Sequence, residues 1–444
     1  MAGCDDFRAT SRATRRRMLD TPFTRRQAVA AGLGAGLTLY LQQVMPVARV
    51  LEAAEAQAQA APAAPVLVSV FLPGGADLLD TLVPLDQLGA YADLRPTLKR
   101  EDAQPLGATG LGAHPSLALG TRGGVRGLFD QGKVAFLPGI DYANPDQSHF
   151  HSRNFWQTGI LTRSALNGWL GRWLDSGGVV DNPLQGVSMA PGLSPVLRSA
   201  RAPVAAVRTP AESQFAVPGL TPEAFERMMD AYAKIAAPRA ALEGPTAADS
   251  AARMATQVSG RLRPYRPKPT RDPLAPLAPY PDGLLGSRLA TLAGLLAKPL
   301  GIRVATVEAE TDFDTHDNQP TELAAGLAEA SEALSAFQAD LELRGLSNRV
   351  LTFVWTEFGR RPKENASAGS DHGAGGVAWL QGSRVRGGLL SEYPSLKRLD
   401  RRDNLAVTID FRSVYASILE QWLQTGADAV IPGAGGLGRV PLVW

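Results

Sequence analysis

The segment ETDFDTHDNQP, residues 310–320, sets Asp312, Asp314 and Asp317 around His316 in a chain with only 5 His. Imidazole and carboxylate without thiolate form a donor set suited to zinc or manganese, and the carboxylates alone would also accept calcium or magnesium. Three other segments repeat the chemistry. PGGADLLDT presents Asp77 after the pair Gly74-Gly75; NPDQSHFHSRNFWQTG supplies Asp146, Ser148, His149, His151, Arg153 and Asn154. TEFGRRPKENASAGSDHGAGG supplies Glu357, Arg360, Arg361, Asp371 and His372. A hydroxyl beside a bound ion loses its proton near neutral pH and attacks phosphorus or sulfur. Arginines can grip an anionic substrate bidentately.

Each cluster also has a plainer reading. An Asp after a strand commonly caps the next helix, and a His near an Asp is commonly a hydrogen-bonded pair. Arg153, Arg360 and Arg361 could equally pair with the surplus acids. His149 and His151, two positions apart, cannot share a helix face, so at most one points at a site. His114 in GAHPSL is expected to cap or orient the following helix, and Trp169 and Trp173 are expected in the core.

The elements that must position these residues read as alternating strands and helices. Apolar runs at 65–72, 133–139, 202–209, 301–309, 349–356 and 376–382 have the Val-rich, uninterrupted character of strands buried on both faces. Residues 321–344 carry Leu323, Leu327, Ala330, Leu334, Phe337 and Leu341 on one helical stripe, with Gly345 as the stop. Further helices are expected at 222–235, 284–298 and 411–424. The alternation predicts an α/β fold: a mainly parallel central sheet with helices on both faces. Ligands of such sheets bind beyond the carboxyl ends of the strands, where the polar clusters fall. Residues 210–283, rich in Ala and Pro, read as a helical insertion with a Pro-rich return, either a cap or a linker.

The chain has 444 residues, 45% hydrophobic and 20% charged, enough for a sizeable core. The net charge of +2 is local, because Arg8, Arg12, Arg15, Arg16, Arg17, Arg25 and Arg26 precede residue 27. The remainder is slightly acidic, which argues against a nucleic-acid partner. Residues 1–60 read as an export signal: paired Arg25-Arg26, a mildly apolar run, then small residues offering cleavage near Ala58 or Ala60. The run is too short for a stable membrane span, although a retained anchor is the competing reading. The only cysteine, Cys4, lies within it, so residues 61–444 hold no disulfide and no Cys-type zinc site.

In order along the chain, VLVSVFLPGGADLLDTLVP, GAHPSLAL, QSHFHSRNFWQTG, NGWLGRWLD, DFDTHDNQ, TEFGRRPKENASAGSDHGAGGVAWLQGSRVRGG and VTIDFRSVYASIL resemble a bacterial family of twin-arginine-exported proteins. That family, of unassigned activity, is usually placed in the alkaline phosphatase-like (sulfatase-like) superfamily. The resemblance covers nearly all of residues 61–444 and implies an alkaline phosphatase-like fold. It implies Asp77 as a metal ligand just after the first strand and Ser148 as the nucleophile at a helix start. An Asp-x-x-x-His pair falls on Asp312 and His316, with Asp314 in the DTH motif as the alternative. Asp371-His372 is the later Asp-His pair; in the slightly preferred alignment, Glu357 takes that strand-end position and His372 is the final His. With Glu357-Phe358 standing there, the second metal position loses an imidazole, so one or two ions are expected. The absence of a Cys/Ser-x-Pro-x-Arg motif argues against formylglycine-type sulfatase chemistry.

The expectation is therefore an exported, metal-dependent hydrolase of phosphate or related esters, with Arg153 or Arg360 stabilising developing charge. Its partners would be a small-molecule or envelope-polymer ester and the twin-arginine export machinery. The competing reading is a phosphatase-like scaffold without turnover that binds a cell-envelope glycan or a partner protein.

Overall fold

A computed structural model describes residues 64–211 apart from 180, isolated positions within 221–231, and residues 247–444. The export signal expected at 1–60 lies outside the described residues, as does most of the helix expected at 222–235.

The sheet is built from β1 (Val66–Phe71), β2 (Val134–Asp141), β3 (Gly186–Ser188), β4 (Ala205–Ala206), β5 (Val304–Glu308) and β6 (Val350–Trp355). The chain then folds a hairpin, β7 (Gly359–Glu364) and β8 (Ser370–Gly373), before returning through β9 (Gly376–Gln381), β10 (Gly388–Leu389) and β11 (Ile409–Asp410). The order across the main sheet is β10-β2-β9-β6-β1-β5-β3-β4, with β11 also on β2. All pairings are parallel except those of β9, which runs antiparallel between β2 and β6. The mainly parallel α/β sheet read from the alternating runs is the observed one. The run at 202–209 yields only the two-residue β4, and the segment between the runs at 349–356 and 376–382 forms the separate β7–β8 hairpin.

Alternation along β1 assigns its side chains to two cores. Val66, Val68 and Val70 join one, covered by α1 (Gly124–Asp130), α4 (Ala247–Leu262), α5 (Leu284–Leu296) and α6 (Gln319–Leu343). Leu67 and Phe71 join the other, covered by α2 (His149–Thr158), α3 (Trp169–Gly177) and α7 (Phe411–Ser417). The stripe on α6 is buried throughout, at 1% exposure or less from Leu323 to Leu341, and each such Leu or Phe contributes roughly 1.5–3 kcal/mol. Trp169 and Trp173 are core residues. Trp156 stacks on Trp355 and Phe411 and so clamps α2 to β6 and α7. The described part of the 210–283 insertion packs through Val258 and Leu262 of α4 into the first core.

Candidate metal centre

Three connections at the carboxyl edge of the sheet converge. After β1, Gly74 and Gly75 turn at φ 112° and 83°, a region that L side chains rarely adopt. A Cβ on Gly74 would strike the backbone of Asp314, and one on Gly75 the ring of Phe358. The turn is held by the end of β6: Thr356 Oγ1 accepts from Gly75 N (2.9 Å) and Ala76 N (3.1 Å), and Glu357 accepts from Gly74 N (3.0 Å). After β5, Phe313 is buried and its N–H donates to Pro73 O at 2.7 Å, which fixes its neighbour Asp314 against the turn. The hairpin sets His372 opposite Arg360. Finally α2 begins at His149, with Ser148 as N-cap.

Asp314 is the centre. His372 Nε2 lies 3.1 Å and His316 Nε2 3.2 Å from its Oδ1, and His149 Nε2 lies 3.5 Å from its Oδ2. The opposite nitrogen of each ring faces an acceptor. His149 Nδ1 is 3.0 Å from Glu357 Oε1, His316 Nδ1 is 3.1 Å from Asp371 Oδ1, and His372 Nδ1 is 2.9 Å from the Gln147 carbonyl. Each Nδ1 therefore donates outward, so each Nε2 donates to Asp314 when the ring is charged and turns a lone pair inward when it is neutral. His316 Nε2 and His372 Nε2 sit 3.0 Å apart, so two inward lone pairs would repel unless one ring donates to the other or a cation sits beside both. His149, Asp314 and His372 can each bring one ligand atom to within 4.8 Å of the other two, and His316 flanks them. Outer carboxylates and a carbonyl that orient ligating imidazoles are the usual surroundings of such a metal. The imidazole and carboxylate donors of His149, Asp314 and His372 fit a divalent cation.

The electrostatics agree. Burial pushes the Asp314 carboxyl up, but hydrogen bonds from the three imidazoles, together with Arg360, hold it well below the usual carboxylate range. Burial pulls His149 down, and Asp314 and Glu357 outweigh it, lifting the ring to about 9. Those two carboxylates favour a cation on the ring, whether a proton or a metal. His372 is shifted down, chiefly by burial.

The structure thus brings together Asp314, His316 and His372, with Glu357 and Asp371 behind the imidazoles as their orienting acceptors. Of the pair His149 and His151, His149 faces the cluster; His151 turns away to Asp146. Asp312 shapes the loop, accepting from Asp314 N at 3.1 Å. Asp77, implied as a ligand, lies outside the cluster. It is 1% exposed, caps Leu78–Thr81, pairs with Arg95 at 2.7 Å and accepts from Ser370 Oγ and Gln319 Nε2. Arg360, expected to grip substrate, is also 1% exposed. Its guanidinium donates to the carbonyls of Gly74, Gly75, Phe313 and Ser370 and to Asp314 Oδ1 at 2.5 Å. It ties the three connections together and leaves no face for a substrate. Arg153 reaches away from the cluster, to Glu308 at 2.7 Å. His114 Nδ1 caps the turn Pro115–Ala118, as the sequence suggests.

Among solved structures, a sulfatase from Pseudoalteromonas sp. aligns at 12% identity with TM-score 0.38, over 90% of this chain and 79% of that one. Alkaline phosphatase from the Antarctic bacterium TAB5 aligns at 12% identity with TM-score 0.30, over 72% and 90%. No curated protein sequence matches. Residues 142–421, which carry α2, the Asp314 loop and the hairpin, match the family described as protein of unknown function (DUF1501), and the chain belongs to that family.

Proposed function

We propose that the protein is an exported, metal-dependent hydrolase of phosphate or related esters. The observation that carries this reading is the inward convergence of three imidazole Nε2 atoms on the buried Asp314, each ring fixed from behind. A divalent ion held by His149, Asp314, His372 and His316 would supply Lewis-acid stabilisation of developing negative charge. Ser148 is the proposed nucleophile. Its side chain makes no capping bond, and it sits between Gln147, whose carbonyl holds His372, and His149 itself. In this reading the backbone N–H groups and the positive end at the start of α2 would face the charge that develops on attack. Glu357 and Asp371 keep His149 and His316 in the tautomer that turns Nε2 inward. The paired Arg25-Arg26 before a mildly apolar run supports the export part of this reading; among the described residues, no helix is long and apolar enough to cross a membrane.

Ser148→Ala is expected to abolish turnover of an aryl phosphate or aryl sulfate while bound metal, counted by mass spectrometry of chelator-free protein, stays stoichiometric. Full activity in that variant would remove Ser148 from the role. One observation favours the scaffold reading: Arg360 lies 2.5 Å from Asp314 and offsets the negative charge an ion needs. Protein that binds no metal would decide for the scaffold.

A further inference from the structure

A cleft of about 250 Å³ opens on the face of the sheet covered by α2 and α3. Its floor is a single register row across three strands: Ser188 of β3, Thr306 of β5 and Ser69 of β1. Mid-strand positions on this face otherwise carry core side chains such as Leu67, Val304 and Leu351, so three adjacent hydroxyls are a departure from the pattern. Two of them serve the protein. Ser69 Oγ accepts from Trp355 Nε1 at 2.9 Å, and Ser188 Oγ donates to Gly192 O at 2.9 Å and accepts from Ser194 N at 3.2 Å. Thr306, between them, is 5% exposed, and its hydroxyl has no hydrogen-bond partner among the described residues. A buried hydroxyl left in that state costs more than a Val would.

Above the row, Arg153 donates to Glu308 and lies over the Phe71 ring at 4.4 Å. The ion pair offers donors and acceptors without net charge, which suits neutral hydroxyls and gives a second anion no advantage. Phe71 and Val196 offer apolar surface for ring C–H groups. The volume falls just below the roughly 300 Å³ at which pockets for drug-sized ligands begin, so it admits one small ring. His149, Arg153 and Gln157 recur every fourth residue along one face of α2 and lead from the metal centre to the cleft.

We infer that the cleft binds a polyhydroxylated, sugar-like group, the alcohol portion of the ester whose charged end reaches the metal centre; the second half of this statement rests on the hydrolase reading. The test uses the purified chain, methyl glucoside, methyl galactoside, methyl mannoside and N-acetylglucosamine as probes, and cyclohexanol as the apolar control. Binding is followed by calorimetry and ligand-observed NMR at millimolar concentrations. At least one sugar should bind without competition from cyclohexanol. Thr306→Val should weaken it about tenfold while raising Tm, because the shape is kept and the lone hydroxyl is removed. No binding, equal binding of cyclohexanol, or binding unchanged by Thr306→Val overturns the proposal. A lower Tm together with lost binding also overturns it, since it assigns Thr306 to packing. Metal is counted on the same samples: metal without sugar binding removes the cleft alone, whereas sugar binding without metal keeps the cleft and removes the hydrolase reading.

Discussion

Asp314 serves His149, His316, His372 and Arg360 with two oxygens. A cation among the imidazoles would compete with the Arg360 guanidinium for the same carboxylate, so its affinity would depend on how firmly the rings are held from behind. Glu357 is the most buried of those supports. Glu357→Gln is expected to weaken metal binding about 10–100-fold, measured by competition with a chromophoric chelator. Unchanged affinity would reduce Glu357 to a partner of the Gly74 turn. At this scale the sequence was partly legible. Asp314, His316 and His372 were recognisable from residue type and strand-end placement. Which acids face an ion and which back an imidazole was not, because that depends on side-chain direction. Asp77 misled because its partner Arg95 lies 18 residues on without a motif, and Arg360 because the four carbonyls it binds leave no trace in sequence.

The unit that aligns the centre is the set of connections after β1, β5 and β6. Gly74 is its tightest point, packed against the Asp314 backbone at positive φ. Gly74→Ala is therefore expected to cost about 3 kcal/mol or more in urea unfolding and to displace Asp314, lowering metal content along with stability. Normal stability would show that the turn can relax. The strand runs and the α6 stripe were legible because burial on both faces and helical spacing leave periodic signatures. The β7–β8 hairpin was not, because Gly359–Glu364 is mostly charged and its pairing follows from Arg360 and from close backbone packing at Gly359, Gly369 and Gly373.

Across the whole molecule, Asp141 at the end of β2 couples stability to pH. It is fully buried, accepting from Tyr142 N (2.9 Å) and Gly375 N (3.2 Å). Burial, opposed by these bonds, pushes its carboxyl up to about 8. A carboxyl raised in the folded state stabilises fully below its unfolded pKa and loses that contribution as pH rises through the folded value. The protein should thus lose stability from this group between pH 3.8 and about pH 8. The Tm of Asp141→Asn relative to the parent should climb over the same interval and then level. A flat difference would show that Asp141 ionises normally.

The residues that face Asp314 come from positions 149, 316 and 372, on a helix start, a loop and a hairpin that meet only after the sheet has closed. No shorter stretch of the chain holds the full donor set. In the proposed hydrolase, capture of an ion would therefore come late in maturation, and a loaded centre would certify that the polypeptide had reached its finished topology.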